Sequence, residues 1–447
     1  MPHALATPDS YLTDFRTFET NLPDEGPDWI REVRQQALAR FRELGFPTAR
    51  RGNEKWKYTN VRPIADATFS YPFDAGAEVS LADVRSVAPW DEGWATAVFV
   101  NGRYSPALST IVALDGVQVT NLEEAVRADG DVIERHLARH ATYDDDGFTA
   151  LNTAFLRDGA FVHVPEGESL QSPLHLIFVT AEGAEPGVSY PRTLIVAGAR
   201  SELTVIESYV SLSSSSYLTD AVTEIVVGEG AQVEHYKLLL ESEGAFHVAT
   251  SRVYQGEDSV FSSTLYARGA AIARNDIQVL LDAPGVSCTL NGLYMTSGSQ
   301  HIDNYINIEH AKPHGTSRLF YKGILDGESK AVFGGTVLVR PGADKTDAHQ
   351  EDKNLLLSEK AEVASKPSLE IYADDVKCGH GATAGTITED AIFYMRSRGL
   401  DLETATAFLV KGFARGILDK VRVQPLRDFL EELTTKALGG SRFGQAS

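Results

Sequence analysis

Cysteine is nearly absent from this 447-residue chain, which has only Cys288 and Cys378. Two thiols cannot form the bridge framework of a small secreted domain, so the reading is a reduced, cytoplasmic chain. Basic residues are also short: 41 Lys and Arg against 62 Asp and Glu leave a formal charge of −21. That balance excludes nucleic acid and anionic membrane surfaces as partners held by bulk charge. Lysine is the scarcer cation, 14 against 27 arginines, a weak sign of a salt-adapted or very soluble surface. No run approaches the about 18 consecutive apolar residues of a membrane helix. The first residues, Met1-Pro-His-Ala-Leu-Ala-Thr-Pro-Asp, lack the basic and then apolar stretches of a secretory leader.

Catalytic signatures are missing too. There is no G-x-x-x-x-G-K-[ST], so the chain carries no phosphate-binding loop of its own, and no G-x-G-x-x-G opens a helix after a strand. C-x-x-C, H-E-x-x-H and G-x-S-x-G are absent, and no nucleophile is signalled beside a base. The expectation is a scaffold or binding protein rather than an enzyme, one that borrows nucleotide energy from a partner.

What is present falls into three regions, 1–159, 160–387 and 388–447. Residues 10–45 read as two helices, the second carrying Trp29, Ile30, Val33, Ala37, Leu38, Phe41 and Leu44 at helical spacing. Asn53 to Thr59 reads as a packed loop bearing Trp56 and Tyr58, and Ala97 to Ser105 as a strand and hairpin turn. Residues 121–140 read as one helix capped by Asn121 and Glu124, with His136 and His140 on its face. Asp144-Asp-Asp-Gly147 is no calcium loop, because Thr142 and Thr153 would stand where ligands are required.

From about 160 to 387 the helical period gives way to short runs rich in Val, Ile, Thr, Tyr and Phe. Turn glycines at 198, 230, 256, 285 and 315 are separated by 32, 26, 29 and 30 residues, the period of a β-solenoid coil. A large β-sandwich shares the pattern without that period. After 388 helices return, with Thr388 and Asp401 as caps, Gly399 as a stop and Gln424-Pro425 opening the last. Helices at both termini are natural covers for open end coils.

The chemistry concentrates in Tyr372 to Gly385. If this piece is extended, Cys378 and His380 project from one face, with Asp374 on the same alternation and Asp375 and Lys377 on the other. A thiol and an imidazole make half of a metal or sulfur site, and another chain or distant residues must complete it. His310, His314 and His349 are further candidates, with His349 ranked next after His380 and Cys378.

The run Tyr372-Ala-Asp-Asp-Val-Lys-Cys-Gly-His-Gly-Ala-Thr resembles the signature of the SufB/SufD family of the SUF iron–sulfur cluster assembly machinery. So do Ala391-Ile-Phe-Tyr-Met-Arg-Ser-Arg-Gly-Leu, Phe333-Gly-Gly, Thr346-Asp-Ala-His-Gln, Leu151-Asn-Thr-Ala-Phe and Asn53-Glu-Lys-Trp-Lys-Tyr-Thr. These blocks stand in family order from about residue 50 to 415, and the Cys-x-His-Gly-Ala-Thr wording is closer to SufD than to SufB. The resemblance implies a mainly β fold, a right-handed parallel β-helix flanked by N- and C-terminal helical regions. It implies pairing with SufB, docking of the SufC ATPase on the C-terminal helices, and self-pairing as a homodimer in isolation. It also implies a nascent iron–sulfur cluster at the SufB junction, with His380 and Cys378 at the ligand positions. Two other readings stand beside it: a SufB-like subunit accepting sulfur on Cys378, and a β-helix enzyme acting on polysaccharide.

Overall fold

Alternation of apolar and polar residues, repeated about every 30 residues, folds the middle of the chain into stacked coils with two strands each. The computed structural model describes residues 4–5, 9–22, 27–49, 52–72, 78–111, 116–128, 130–182 and 186–439. One strand of every coil joins a first sheet: Leu174–Thr180, Glu202–Ser211, Gln232–Leu240, Val260–Arg268, Ser287–Thr296, Thr316–Leu325, Asp347–Leu356 and Lys377–Gly385. The other joins a second sheet that runs from Gly159–Val164 to Glu362–Ile371. Within both, every strand pairs in parallel with its counterpart one coil on, as Cys288 with Ser317, Ser317 with Ala348 and Ala348 with Cys378. The protein is therefore a β-solenoid, and the sandwich reading fails because from Leu174 to Gly385 each coil strand pairs in parallel with strands of the adjacent coils rather than with the next strand in sequence.

One corner of the coil explains the loose glycine period. Arg200, Gly230, Asp258, Gly285, His314 and Lys345 all have φ between 54° and 74°, one per coil. Glycine occupies this left-handed position in only two of the coils, because hydrogen bonds to the next coil hold the other residues there. Arg200 N–H, for example, donates to Glu229 O at 2.7 Å. Gly198 and Gly256 stand two residues earlier in the corner, where a Cβ would press on the neighbouring coil's backbone. Glycines drawn from different places in one corner gave the right period and a blurred register.

The core fills the space between the sheets, from Leu176, Val205 and Ile225 at one end to Leu319, Phe333 and Ala348 at the other. It is not wholly apolar. Glu207 lies fully buried, accepting from Tyr209 Oη–H at 2.5 Å and Thr223 Oγ1–H at 2.8 Å, with His235 Nε2 at 3.0 Å. Lys237, also buried, reaches Ser251 Oγ at 3.2 Å. Burial raises the Glu207 carboxyl, but the Lys237 charge and the His235 contact outweigh it and hold Glu207 ionised, well below its usual range.

Helices cover the outer faces. Asp9–Asn21, Asp28–Leu44 and Gly147–Ala154 pack Phe15, Phe18, Phe41 and Phe148 beside Val188, Leu218 and Val248 of the second sheet. Burying each such aromatic contributes about 1.5–3 kcal/mol. The loop from Asn53 to Thr59 is packed as its sequence suggests. Trp56 is buried under the Arg274 guanidinium, 3.9 Å from its ring centroid, while Lys55 bridges Asp146 at 2.8 Å and Asp276 at 2.9 Å. Asp146 also caps the 147–154 helix, accepting from Thr149 N–H at 2.9 Å, which accounts for the acidic run before Gly147.

Two expectations need correction. The helix read over 121–140 is described over Leu122–Ala128 and Gly130–His136 and ends at His136, short of 140. Ala138 then turns at φ 59° so that the N–H groups of Ala138, His140 and Ala141 all donate to the buried Glu224. His140 thus stands off the helix, its Nε2 3.2 Å from His136 Nδ1. Second, the C-terminal helices do not cover the last coil. Leu402–Leu418 and Gln424–Gly439 lie along the first sheet's outer face, packing Val410, Ile417, Leu426 and Leu430 on Ile206, Tyr236, Leu293 and Ile324. That face is apolar where the coil end is polar, so burial favours the side over the end. At the other end of the stack, short antiparallel strands, Arg103–Tyr104 and Gln118–Asn121, close the edges.

Candidate functional site

Glu362–Ile371 and Lys377–Gly385 are the terminal strands of the two sheets, so both present an unpaired edge. Tyr372, which follows the first of them, is 62% exposed. Cys378 and His380 lie on the second. Register shows where they point: Cys378 lies opposite Ala348 and His380 opposite Gln350. Ala348 and Gln350 are inward, buried positions, so the thiol and imidazole share the face that continues the solenoid's interior. Cys378 packs against the core edge, while His380 is exposed because no further coil covers it.

The other candidates separate from this pair. Gly379 lies opposite His349, so His349 is on the outer face, 3.2 Å from Asp347 Oδ1, itself bonded to Arg318 at 3.0 Å. Asp374 precedes the strand, which begins at Lys377, so the alternation that carries Cys378 and His380 does not extend to it. Its neighbour Asp375 belongs to the corner, where its carbonyl accepts from Lys345 N–H and its carboxylate pairs with Lys345 Nζ. His310 is buried in the core, its Nε2 2.8 Å from Ser317 Oγ, and burial pushes its pKa down to about 4. His314 occupies the exposed corner. Among the described residues no three His, Cys, Asp or Glu side chains converge to hold a metal ion.

Beneath the last coil the interior turns polar, which the sequence reading missed. Asp352 is fully buried, and its Oδ2 accepts from both Ser365 Oγ–H and Asn354 Nδ2–H at 2.7 Å. Burial raises its pKa to about 6, against the lowering effect of those hydrogen bonds. Gln350, directly below His380, donates to Ser368 O at 2.9 Å and leaves its own Oε1 unpartnered. Gly335 is required across from it, since a Cβ there would lie 2.6 Å from that oxygen. Inward Gln350, Asp352 and Asn354 alternate with outward His349, Glu351 and Lys353, so both faces are polar and the pattern offers no signal. Burial also raises the Cys378 thiol, partly offset by the Ala348 backbone N–H.

A second exposed feature lies on the C-terminal helices. Thr388 and Asp401 cap as expected, through Ala391 N–H and Thr404 N–H. However, Phe393 and Phe408 are 74% and 63% exposed, and Leu402 is also exposed. The 402–418 helix buries Ala405, Val410, Ala414 and Ile417 instead. A cavity of about 870 Å³ lies beside Ile392, Phe393 and Leu400. No helix among the described residues is long and apolar enough to cross a membrane.

Comparison with known proteins fits this architecture. Residues 178–413 match the family profile described as SUF system FeS cluster assembly, SufBD core domain, and residues 6–176 match the SufBD protein N-terminal region. An iron–sulfur cluster assembly SufBD family protein of Synechocystis is 33% identical over 417 residues, 89% of each chain. The iron–sulfur cluster assembly protein SufD of Escherichia coli is 31% identical over 411 residues, 91% of this chain and 93% of that one. SufD of Bacillus subtilis is 25% identical over 413 residues, 90% and 92% of the two chains. Solenoid, flanking helices and both profile matches agree: the chain belongs to the SufBD family of the SUF iron–sulfur cluster assembly system.

Proposed function

We propose that this chain is the SufD-type scaffold of a SUF complex, pairing through its open coil with a SufB subunit and carrying a SufC ATPase on its C-terminal helices. The nascent iron–sulfur cluster is cargo held at that junction, with His380, and secondarily Cys378, as this chain's ligands. The observation that carries the reading is the pair of unpaired terminal strands with Cys378 and His380 on one inward face at the mouth of the solenoid. A second chain placed there would satisfy the exposed strand edges and complete the coordination. Imidazole and thiolate suit iron, and a chain that supplies only part of the ligand set leaves the cluster labile enough to pass on. The exposed Phe393, Leu402 and Phe408 are an apolar surface of the kind an ATPase subunit would cover. Closure of that subunit on ATP would move the helices against the solenoid and open the junction. In isolation the same edges would pair with a second copy.

The alternative of a SufB-like sulfur acceptor places the nucleophile on Cys378. Its raised thiol pKa and its contact with the core edge disfavour that role, which needs a thiolate. Family membership leaves no support for the polysaccharide-active reading. The test is co-purification with SufB and SufC, followed by cluster reconstitution. Wild type is expected to form the mixed complex and hold a cluster, and His380→Ala to form the complex without it. Failure to join the complex, or a full cluster in His380→Ala, would overturn the proposal.

A further inference from the structure

A cavity of about 320 Å³ lies where the outer face of the first sheet meets the last helix, far along the stack from the open coil. Its floor is Leu240, Arg268 and Met295, consecutive in register across three coils, and Phe429 and Leu433 of the Gln424–Gly439 helix form its roof. Met295 is buried, but Leu240, Phe429 and Leu433 are only partly so. Arg268 is half-buried, yet among the described residues no carboxylate pairs with it and it donates no hydrogen bond. In a chain with 62 acidic and 41 basic residues, an uncompensated guanidinium beside a cavity needs an explanation.

The acidic groups of the same wall are already engaged. Glu241 accepts from Thr219 Oγ1–H at 2.8 Å and lies 2.6 Å from His247 Nδ1, Glu432 pairs with Lys436 at 2.7 Å, and Glu243 has an interaction of its own. The site therefore offers a cation at Arg268, an apolar patch at Leu240, Met295, Phe429 and Leu433, and uncharged polar groups at Ser242, Ser297 and Gln300. We propose that this cavity binds a small amphipathic monocarboxylate, its head group on Arg268 and its apolar body against Met295, Phe429 and Leu433. Three carboxylates against two cations in the lining disfavour a dianion such as phosphate. A volume near the lower end of ligand pockets, about 300–1,000 Å³, restricts the ligand to a small molecule. The site is independent of the junction reading and would stand if that reading failed.

The test uses the full chain with its methionines labelled at the methyl carbon. The sequence has only three methionines, and Met395 does not line this cavity. Titration with octanoate is expected to shift the Met295 signal saturably and leave Met395 in place. Octylamine and inorganic phosphate are expected to shift neither. Arg268→Gln should weaken octanoate by about tenfold or more, as loss of a charge-assisted hydrogen bond implies, with Arg268→Lys in between. An unmoved Met295 signal, equal binding of octylamine, or an unchanged octanoate affinity in a folded Arg268→Gln chain would each overturn the assignment.

Discussion

Asp352 lies one coil beneath the exposed imidazole, and its replacement by asparagine tests whether the polar interior is built to hold a neutral acid. Two of its hydrogen-bond donors, Ser365 and Asn354, converge on Oδ2, and Tyr294 Oη lies 3.5 Å from Oδ1. An asparagine carbonyl can accept both, and its amide can donate to Tyr294 Oη, whose own proton goes to Asn354 Oδ1 at 2.5 Å. The substitution therefore removes the charge and keeps the contacts. Folding raises the Asp352 pKa from an ordinary 3.8 to about 6. Between those values the folded chain binds more protons at this site than the unfolded chain. Stability consequently falls as pH rises through the window, and the loss is complete above the folded pKa. Two pKa units correspond to about 3 kcal/mol. Urea unfolding of wild type and Asp352→Asn should give equal stability near pH 4. The variant should become progressively more stable to about pH 7, by an amount on the order of 3 kcal/mol. Other buried carboxyls are common to both chains and cancel in the difference. A difference that does not vary with pH, or a variant less stable than wild type at pH 7, would refute the reasoning.

Three further outcomes follow from the same geometry. Lys237→Met leaves the ionised Glu207 buried without its compensating charge and should cost about 3–5 kcal/mol in urea unfolding; adding Glu207→Gln should recover part of that loss. Asp146→Ala removes both the cap of the 147–154 helix and the Lys55 ion pair. It should destabilise by at least the about 1 kcal/mol of a lost cap, and a thermal midpoint within error of wild type would count against the packed-loop assignment. In a reconstituted complex, His380→Ala should abolish cluster retention, Cys378→Ser should reduce it less, and His349→Ala should leave it unchanged, because His349 faces outward against Asp347. Iron and sulfide content per complex reads all three, and a His349→Ala defect equal to that of His380→Ala would contradict the register argument.

Local residues decided much of what could be read in advance. The caps at Thr388 and Asp401, the stop at Gly399 and the two N-terminal helices depend on neighbours within a turn or two, and they fold as their sequence states. The 121–140 reading failed where the cause was distant: Glu224, more than 80 residues away, gathers the N–H groups of 138, 140 and 141 and ends the helix early. Leu402 and Phe408 fit an apolar stripe on paper, but the sheet beneath takes the Ala405, Val410 and Ala414 side of the helix and leaves them exposed.

Composition and period pointed to stacked β coils with helical flanks but left a large sandwich open, and only the parallel pairing of strands about 30 residues apart excluded it. Alternation over two residues was enough to put Cys378 and His380 on a common face. Which face that was, and that His349 lies on the opposite one, depended on pairing with a strand 30 residues earlier, which no local pattern encodes. The open final coil arises from which surfaces the helices cover. That choice is made by burial summed over the whole fold, so only the tertiary structure could settle it.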